Sequence, residues 1–235
     1  MWYSLYRWSW AALDWIYPPT CGGCDHPGAR WCVTCHQSVK VITSPCRLCG
    51  QTITTGELCN RCAAQPPGMA AIRSWAEFSG PIRHAWHRVK YRRDVALADV
   101  LAEPLICMVQ ALHWPVDMIV PVPLSDGRMR QRGYNQADLL AKPLAWGLKG
   151  IHSPKALWRG RDTTSQVGLT REQRRENVRN AFQASPKIVS GKCILVVDDV
   201  ATSGSTLDAC ADALLQVGAE TVYGLTLARA VLSSK

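Results

Sequence analysis

The sequence predicts an α/β fold in which helices flank a parallel sheet, preceded by a small cysteine-rich module. Its 235 residues, 47% of them apolar, allow one medium-sized domain with a real core and a smaller unit beside it. Strand-like and helix-like segments alternate after residue 70, a pattern typical of a parallel sheet covered on both faces. Four Cys-x-x-Cys pairs fall within residues 21–62 and set the smaller unit apart.

The elements of the larger domain follow from apolar periodicity and from Gly and Pro punctuation. The sequence predicts a strand at 74–78, helices at 82–91 and 95–112, a strand at 118–122, a helix at 134–146, a strand at 156–158, a helix at 171–177, a strand at 193–197, a helix at 206–217 and a strand at 221–228. Residues 159–168 are predicted to form a mobile polar loop. The run Gln-Pro-Pro-Gly at 65–68 indicates a linker, so domains are predicted at 19–65 and 66–235.

The first 18 residues are predicted to form a separate aromatic, amphipathic helix. Four apolar side chains fall at helical spacing: Leu5, Trp8, Ala12 and Trp15. Arg7 and Asp14 interrupt the apolar run, so neither a signal peptide nor a membrane span is expected. Packing against the cysteine-rich module is the default expectation for this helix, and contact with a membrane surface or with bases stays open.

The spacing of eight cysteines predicts two structural zinc sites. The candidate ligands are Cys21, Cys24, Cys32, Cys35, Cys46, Cys49, Cys59 and Cys62. Each pair offers two thiolates, and two pairs complete a tetrahedral Zn²⁺ site with no open position for chemistry. Sequential pairing is the simplest arrangement, and an interleaved one stays open at this stage.

The remaining cysteines and the histidines near the pairs are assigned no metal. Disulfides would require export, for which the sequence gives no signal, so a reducing cytoplasm is the expected location. His26 and His36 are surplus to eight thiols. Cys107, Cys193 and Cys210 lie in apolar contexts and are predicted to be small core residues.

The segment 193–206 carries the strongest indication of chemistry. An apolar strand is followed by Asp198 and Asp199, by a loop of small and hydroxyl-bearing residues, and then by a helix. Loop N–H groups and a helix N-terminus favour a phosphate, whereas paired carboxylates favour the hydroxyls of a sugar diol. The segment therefore predicts a site for a sugar phosphate such as ribose 5-phosphate.

The sequence excludes three competing explanations of this segment: two other phosphate-binding motifs and a receiver domain. Neither G-x-x-x-x-G-K-[ST] nor G-x-G-x-x-G after a strand is present. A receiver domain would need several strands after the acid pair, and only the segment at 221–228 remains.

Residues 197–206, Val-Asp-Asp-Val-Ala-Thr-Ser-Gly-Ser-Thr, resemble the phosphoribosyl-pyrophosphate (PRPP) signature of type I phosphoribosyltransferases. Within that superfamily the chain resembles the ComF/GntX-like group, known from DNA uptake and from the use of DNA as a nutrient. The cysteine module and residues 120–124, 131–136, 175–178 and 180–182 support this resemblance. The family usually has Thr-Thr-Gly where Thr202-Ser203-Gly204 stands, a change that keeps the hydroxyl.

The resemblance implies a phosphoribosyltransferase-like fold with an N-terminal double zinc ribbon, and a PRPP site that also takes Mg²⁺. The PRPP-binding residues expected on this basis are Asp198, Asp199, Val200, Ala201, Thr202, Ser203, Gly204, Ser205, Thr206, Pro123, Leu124, Ser125, Lys90, Arg128 and Arg132. Arg161 and Arg132 are the catalytic candidates. Gln166, Arg175 and Asn177 match the group's pattern near the predicted mobile loop.

Two functions of different class follow, and the sequence does not specify an acceptor. The first is transfer of ribose 5-phosphate from PRPP to a base or another acceptor, in a protein of DNA uptake or utilization. The second is a catalytically silent PRPP- or nucleotide-sensing module that binds single-stranded DNA and a DNA-translocating helicase. A net charge of +9, with 12 Lys or Arg against 5 Asp or Glu in residues 123–180, suits anionic partners of either kind.

Overall fold

A five-stranded parallel sheet forms the centre of the computed structural model, which describes residues 18–160 and 181–230. The strands are β1 (Ala71–Glu77), β2 (Met118–Pro121), β3 (Ile151–His152), β4 (Leu157–Arg159), β5 (Phe182–Ala184), β6 (Cys193–Ala201) and β7 (Thr221–Arg229). The sheet has the order β1-β7-β6-β2-β3, and every pairing in it is parallel. The strands β4 and β5 form a separate antiparallel pair.

Helices cover both faces of the sheet, as the sequence predicts. The helices are α1 (Val33–Gln37), α2 (Asn60–Ala64), α3 (Gly80–Tyr91), α4 (Ala96–Ala111), α5 (Asp126–Arg132), α6 (Gln136–Leu148), α7 (Pro186–Val189) and α8 (Ser205–Gln216). The core between the sheet and α3, α4 and α6 lies on one face, and the core formed with α8 and the β4–β5 pair lies on the other. Among the described residues, no helix is long and apolar enough to cross a membrane.

The apolar run of β6 explains why this strand lies in the middle of the sheet. Ile194 and Val196 pack into one core, whereas Leu195 and Val197 pack into the other. All four side chains are fully buried. A strand buried on both faces is continuously apolar and needs helices on each side, so the α/β prediction is confirmed.

Some boundaries and elements differ from the sequence predictions. The strand β6 runs to Ala201 instead of ending at Val197, because Asp198, Val200 and Ala201 pair with β7. Six further elements have no counterpart in the prediction because each is short: β3, β5, α1, α2, α5 and α7. Arg159 belongs to β4 and not to a mobile loop.

The predictions for the three remaining cysteines and for the two helices at 1–18 and 171–177 have different outcomes. Cys107 is exposed, so it is not a core residue, whereas Cys193 and Cys210 are buried as expected. The aromatic helix at 1–18, except for Pro18, and the helix at 171–177 lie outside the described residues.

The cysteine-rich module packs directly on the sheet domain. The backbone N–H of Ile72 in β1 donates to the Leu48 carbonyl at 2.6 Å. From α3, the Arg88 guanidinium donates to the Cys21 carbonyl at 3.0 Å. The backbone N–H of Ile42 also donates to the Trp75 carbonyl at 3.1 Å, so the module and the sheet domain share hydrogen bonds at several separate places.

Candidate functional site

Eight cysteines form two compact clusters, one in residues 21–35 (the first ribbon) and one in residues 46–62 (the second ribbon). The clusters are Cys21, Cys24, Cys32 and Cys35, and Cys46, Cys49, Cys59 and Cys62. Within each cluster the four sulfur atoms lie within 4.8 Å of one another. The pairing is therefore sequential, and the interleaved alternative is excluded.

The sulfur geometry fits Zn²⁺. The Cys24 and Cys32 Sγ atoms are 3.8 Å apart, and the Cys49 and Cys59 Sγ atoms are 3.7 Å apart. Zn–S bonds of about 2.3 Å at a tetrahedral centre place the sulfurs about 3.8 Å apart. Four thiolates leave no coordination position for a substrate, so both sites are structural.

Backbone donors support the thiolates of the first cysteine in each cluster. The N–H groups of Gly23 and Cys32 donate to Cys21 Sγ, both at 3.4 Å, and the N–H of Cys59 donates to Cys46 Sγ at 3.3 Å. Burial alone would raise the pKa of Cys21 and Cys46, but these donors lower each pKa to about 6. A low pKa favours the deprotonated form that a metal requires.

The predicted sugar-phosphate residues lie at one edge of the sheet. The strands β2 and β6 pair in parallel from Met118 with Ile194 to Pro121 with Val197, and the Val122 N–H extends the pairing to the Val197 carbonyl at 2.8 Å. The segments that follow these two strands therefore leave the sheet side by side. Ligands of parallel α/β sheets bind at this carboxyl edge.

Asp199 is the centre of a polar cluster on the α3 face of the sheet. Its Oδ2 accepts a hydrogen bond from Trp86 Nε1 at 2.8 Å and forms a salt bridge with Lys90. Its Oδ1 accepts from the Val200 N–H at 2.8 Å. Burial would raise the pKa of Asp199, but Lys90 and these donors lower it below its ordinary value. Asp199 is therefore held as a carboxylate.

Asp198 is in the opposite electrostatic state. Burial, followed by the neighbouring charge of Asp199, raises the pKa of Asp198 well above its ordinary value. The Asp199 N–H donates to Asp198 Oδ1 at 2.8 Å. Consecutive side chains of a strand point to opposite faces. Because Asp199 bonds to Trp86 and Lys90 of α3, Asp198 lies on the other face of the sheet, which α8 covers. The sequence indicated an equivalent pair, and the structure separates them into a carboxylate and a carboxyl that tends to keep its proton.

The loop after β6 has the shape that the phosphate prediction requires. Residues 201–206, here called the phosphate loop, lead into α8 through Gly204, whose φ of +83° lies in the left-handed region that favours glycine. Thr202 is exposed, and Ser203 Oγ lies 2.8 Å from Ser205 Oγ. Hydroxyl groups and a helix N-terminus therefore meet at the edge of the sheet.

Two arginines hold this loop from the side of the second ribbon. Arg61 in α2 donates to the Ser203 carbonyl at 2.6 Å and pairs with Asp208 of α8 at 3.4 Å. Arg229 at the end of β7 donates to the Thr202 carbonyl at 3.2 Å and also to the carbonyl of the zinc ligand Cys49. The second ribbon is thus connected to the phosphate loop through two guanidinium groups.

The segment after β2 starts the short helix α5. Pro123 and Leu124 precede Ser125, whose carbonyl accepts from the Met129 N–H at 2.9 Å. Arg132, at the end of α5, donates to Gln136 at 2.7 Å and lies 6.0 Å from the ring centre of Tyr91, a residue 70% exposed.

The sequence analysis predicted some of the residues at this site and missed others. Lys90 lies at the acid pair, and Arg132 lies beside the end of the same helix. Arg128 is exposed on α5, and within the described part of the chain it forms no hydrogen bond or ion pair with the acid pair. Arg161, Gln166, Arg175 and Asn177 lie outside the described residues.

Three contributors were missed: Trp86, Arg61 and Arg229. Trp86 lies one helical turn before Lys90, a spacing that could have revealed it. Arg61 and Arg229 gave no local signal because their partners lie 142 and 27 residues away in the sequence.

Comparison with known proteins agrees with this geometry. The double zinc ribbon domain family matches residues 12–63, and the phosphoribosyl transferase domain family matches residues 137–231. DNA utilization protein YhgH of Escherichia coli O157:H7 is 34% identical over 223 residues, covering 90% of this chain and 97% of the relative. This chain belongs to the ComF/GntX-like family.

Further relatives of this ComF/GntX-like protein come from other bacteria. Competence protein F of Haemophilus influenzae is 31% identical, covering 85% of this chain and 90% of the relative. Competence protein ComFC of Bacillus subtilis is 26% identical, covering 86% of this chain and 85% of the relative. Solved structures are more distant. Adenine phosphoribosyltransferase is 16% identical over 60% of this chain and 73% of that chain, with a TM-score of 0.40.

Proposed function

We propose that this ComF/GntX-like protein binds PRPP at the carboxyl edge of the sheet and transfers its ribose 5-phosphate group, in the service of DNA utilization. The observation that supports the proposal most is the adjacency of the phosphate loop to Asp198 and Asp199 on one strand. Ribose 5-phosphate carries a phosphate and a diol on one sugar, so neighbouring groups on the protein can bind both. The relatives' names, DNA utilization and competence, suggest the cellular context.

The acid pair has acceptor capacity for the ribose hydroxyls. An ionised carboxylate offers about four lone-pair positions, and a protonated carboxyl keeps part of this acceptor capacity and adds an O–H donor. The lone pairs of Asp199 are taken up by bonds to Trp86, Lys90 and the Val200 N–H. Asp198 accepts one hydrogen bond, from the Asp199 N–H. On this proposal, Asp198 is the principal diol acceptor, and Asp199 orients Lys90 toward the substrate.

The cationic residues address the charge that develops on the leaving group. Cleavage of the bond between C1 and pyrophosphate leaves positive charge on the ribose and negative charge on the pyrophosphate. Lys90 lies at the acid pair, and Arg132 lies beside Tyr91 at the end of the same helix. We assign the turn formed by Pro123, Leu124 and Ser125, which follows β2 at the same edge of the sheet, to the pyrophosphate.

Mg²⁺ is expected to arrive with the pyrophosphate. Among the described residues, only the two cysteine clusters bring three or more metal-ligating side chains together. Mg²⁺ commonly binds through substrate phosphates and one or two carboxylates, which suits this arrangement. Bound there, it would neutralise charge on the leaving group.

Calorimetric titration with PRPP and Mg²⁺ tests this function, followed by a pyrophosphate-release assay across candidate acceptors. We expect saturable binding, loss of binding when Asp198→Asn and Asp199→Asn are combined, and unchanged binding in Glu220→Gln, which removes an exposed acid before β7. Absence of PRPP binding by the zinc-loaded protein would contradict the proposal. Binding without pyrophosphate release from any acceptor would leave a sensor in place of a transferase.

The second candidate, a module that binds single-stranded DNA, is supported by the relatives' names and by the basic surplus in residues 123–180. We expect its affinity for a single-stranded oligonucleotide to fall linearly on a logarithmic scale with salt. Arg174→Ala with Arg175→Ala should reduce that slope, whereas Lys40→Ala with Lys187→Ala removes the same charge at exposed positions outside residues 123–180 and should not. Retention that does not depend on salt would exclude this electrostatic mode.

A further inference from the structure

The two cysteine clusters differ in how far their sulfur ligands are exposed. In the second ribbon, Cys46, Cys49 and Cys62 are at most 3% exposed, and the remaining ligand is half-buried. In the first ribbon, Cys24 is exposed. All eleven cysteines lie in the described residues, and the other exposed one, Cys107, belongs to neither cluster. A reagent in solution therefore reaches a sulfur of the first cluster more easily than one of the second.

Guanidinium groups offset the charge of the second cluster. Four thiolates and one Zn²⁺ carry a net charge of about −2. Arg73 donates to the Cys46 carbonyl at 3.4 Å. Arg229, only 7% exposed, donates to the Cys49 carbonyl. Because nearby positive charge makes a thiolate less nucleophilic, these two arginines protect the second cluster against electrophiles.

The guanidinium group that bonds to the first cluster is itself neutralised by acids. Arg88 of α3 donates to the Cys21 carbonyl at 3.0 Å. The same guanidinium pairs with Asp25 at 2.8 Å and with Asp94 at 2.6 Å. Two carboxylates use up its single positive charge, so Arg88 does not offset the charge of the thiolates. The thiolates of the first ribbon therefore keep more of their nucleophilicity than those of the second.

A second thiolate lies next to the exposed one, as a disulfide requires. The Sγ atoms of Cys24 and Cys32 are 3.8 Å apart. When an accessible thiolate attacks hydrogen peroxide, an S–O bond forms, the O–O bond breaks, and a sulfenic acid and a hydroxide ion result. The neighbouring thiolate then attacks the sulfenic sulfur, an S–S bond forms, and a second hydroxide leaves. Two thiolates and one hydrogen peroxide thus give one disulfide and two hydroxide ions.

We infer that the first ribbon is a site of oxidation by peroxides, at which a disulfide between Cys24 and Cys32 forms and Zn²⁺ is released. Two thiolates then remain, too few for a closed tetrahedral site. Because such a small module needs its metal to stay folded, its hydrogen bonds to His84 and Arg88 of α3 break as well. The second ribbon keeps its zinc and its bonds to the phosphate loop. The inference does not depend on PRPP binding.

Oxidation of the zinc-loaded full chain with hydrogen peroxide tests this inference. A chromogenic chelator records the release of zinc over time, and peptide mapping after alkylation of free thiols identifies the disulfide. Cys24→His removes the exposed thiolate but keeps a ligand set that binds zinc. Cys59→His makes the same change in the second ribbon, and Cys107→Ser removes the exposed cysteine outside both clusters. Zinc content before oxidation verifies that each variant is loaded.

We expect one of the two zinc ions to leave about tenfold or more faster than the other, together with formation of the disulfide between Cys24 and Cys32. Cys24→His should slow this fast release about tenfold, whereas Cys59→His and Cys107→Ser should leave it unchanged. Reduction with a dithiol in the presence of zinc should restore both sites.

The order of release and the identity of the disulfide are measured on the unaltered chain, so they decide the matter even if a variant fails to load zinc. Release of both zinc ions at one rate, earlier loss of the second zinc, or a disulfide that does not include Cys24 would overturn the inference. Resistance of both clusters to peroxide would do the same.

Discussion

Loss of the second zinc ion is expected to weaken PRPP binding on the order of tenfold, whereas loss of the first is expected to weaken it much less. The structural reason is the bridge from the second ribbon to the phosphate loop. Arg229 donates both to the carbonyl of the zinc ligand Cys49 and to the Thr202 carbonyl. When the cluster opens, the Cys49 carbonyl moves and Arg229 loses one of its two anchors.

The first ribbon contacts a different part of the sheet domain. His84 and Arg88 of α3 bond the carbonyls of Gly22 and Cys21. These bonds stabilise the packing of α3, and none of them reaches the phosphate loop. Removal of the first zinc should therefore lower the thermal stability of the protein with a smaller effect on PRPP affinity.

Single cysteine variants separate the two effects. Cys62→Ser disrupts the second site, Cys24→Ser disrupts the first, and Cys107→Ser replaces an exposed cysteine outside both. Zinc content per chain, thermal denaturation and PRPP titration are measured on each. Equal losses of PRPP affinity in Cys62→Ser and Cys24→Ser would show that the Arg229 bridge is not the route by which zinc acts.

Local patterns in the sequence predicted the parts of this structure that depend on neighbouring residues. The apolar run ending at Val197 predicted the central strand, and Cys-x-x-Cys spacing predicted the zinc ligands. The pairing of the cysteine clusters needed the structure, because identical spacing suits sequential and interleaved arrangements alike.

Contacts between segments that are distant along the chain could not be predicted from the sequence. The end of β6 depends on the length of β7, which carries its partners Thr226, Ala228 and Arg229. The different states of Asp198 and Asp199 arise because consecutive side chains of a strand point to opposite faces. That alternation could be predicted only once both acids were known to lie within the strand.

Opposite effects on stability are expected from replacing the two acids singly. Asp199→Asn leaves Lys90 without its partner, and both side chains are only 18% exposed. Breaking such a pair costs about 3 kcal/mol, which corresponds to a decrease in Tm on the order of 6–12 °C for a domain of this size. Asp198→Asn keeps the acceptor oxygen and removes a carboxyl that is costly to ionise, so Tm at neutral pH should be unchanged or higher.

The dependence on pH distinguishes the two variants further. The lowered pKa of Asp199 contributes stability above its ordinary pKa, and this stability is lost as pH falls through the lowered value. The raised pKa of Asp198 has the reverse sign: its contribution is complete below the ordinary pKa and is lost as pH rises through the raised value. Asp199→Asn should remove the loss on the acid side, and Asp198→Asn the loss on the alkaline side.

Thermal denaturation of both variants across acid and neutral pH, with Glu220→Gln as an exposed control, measures these contributions. PRPP titration of the same proteins should show weakened binding in both, because the ribose hydroxyls need the acid pair whichever variant is the more stable. A replacement that raises stability but weakens PRPP binding is expected at a residue that serves ligand binding and not stability. If Asp198→Asn proved as destabilising as Asp199→Asn, the two acids would be equivalent structural anchors, and Asp198 would lose its assignment as the diol acceptor.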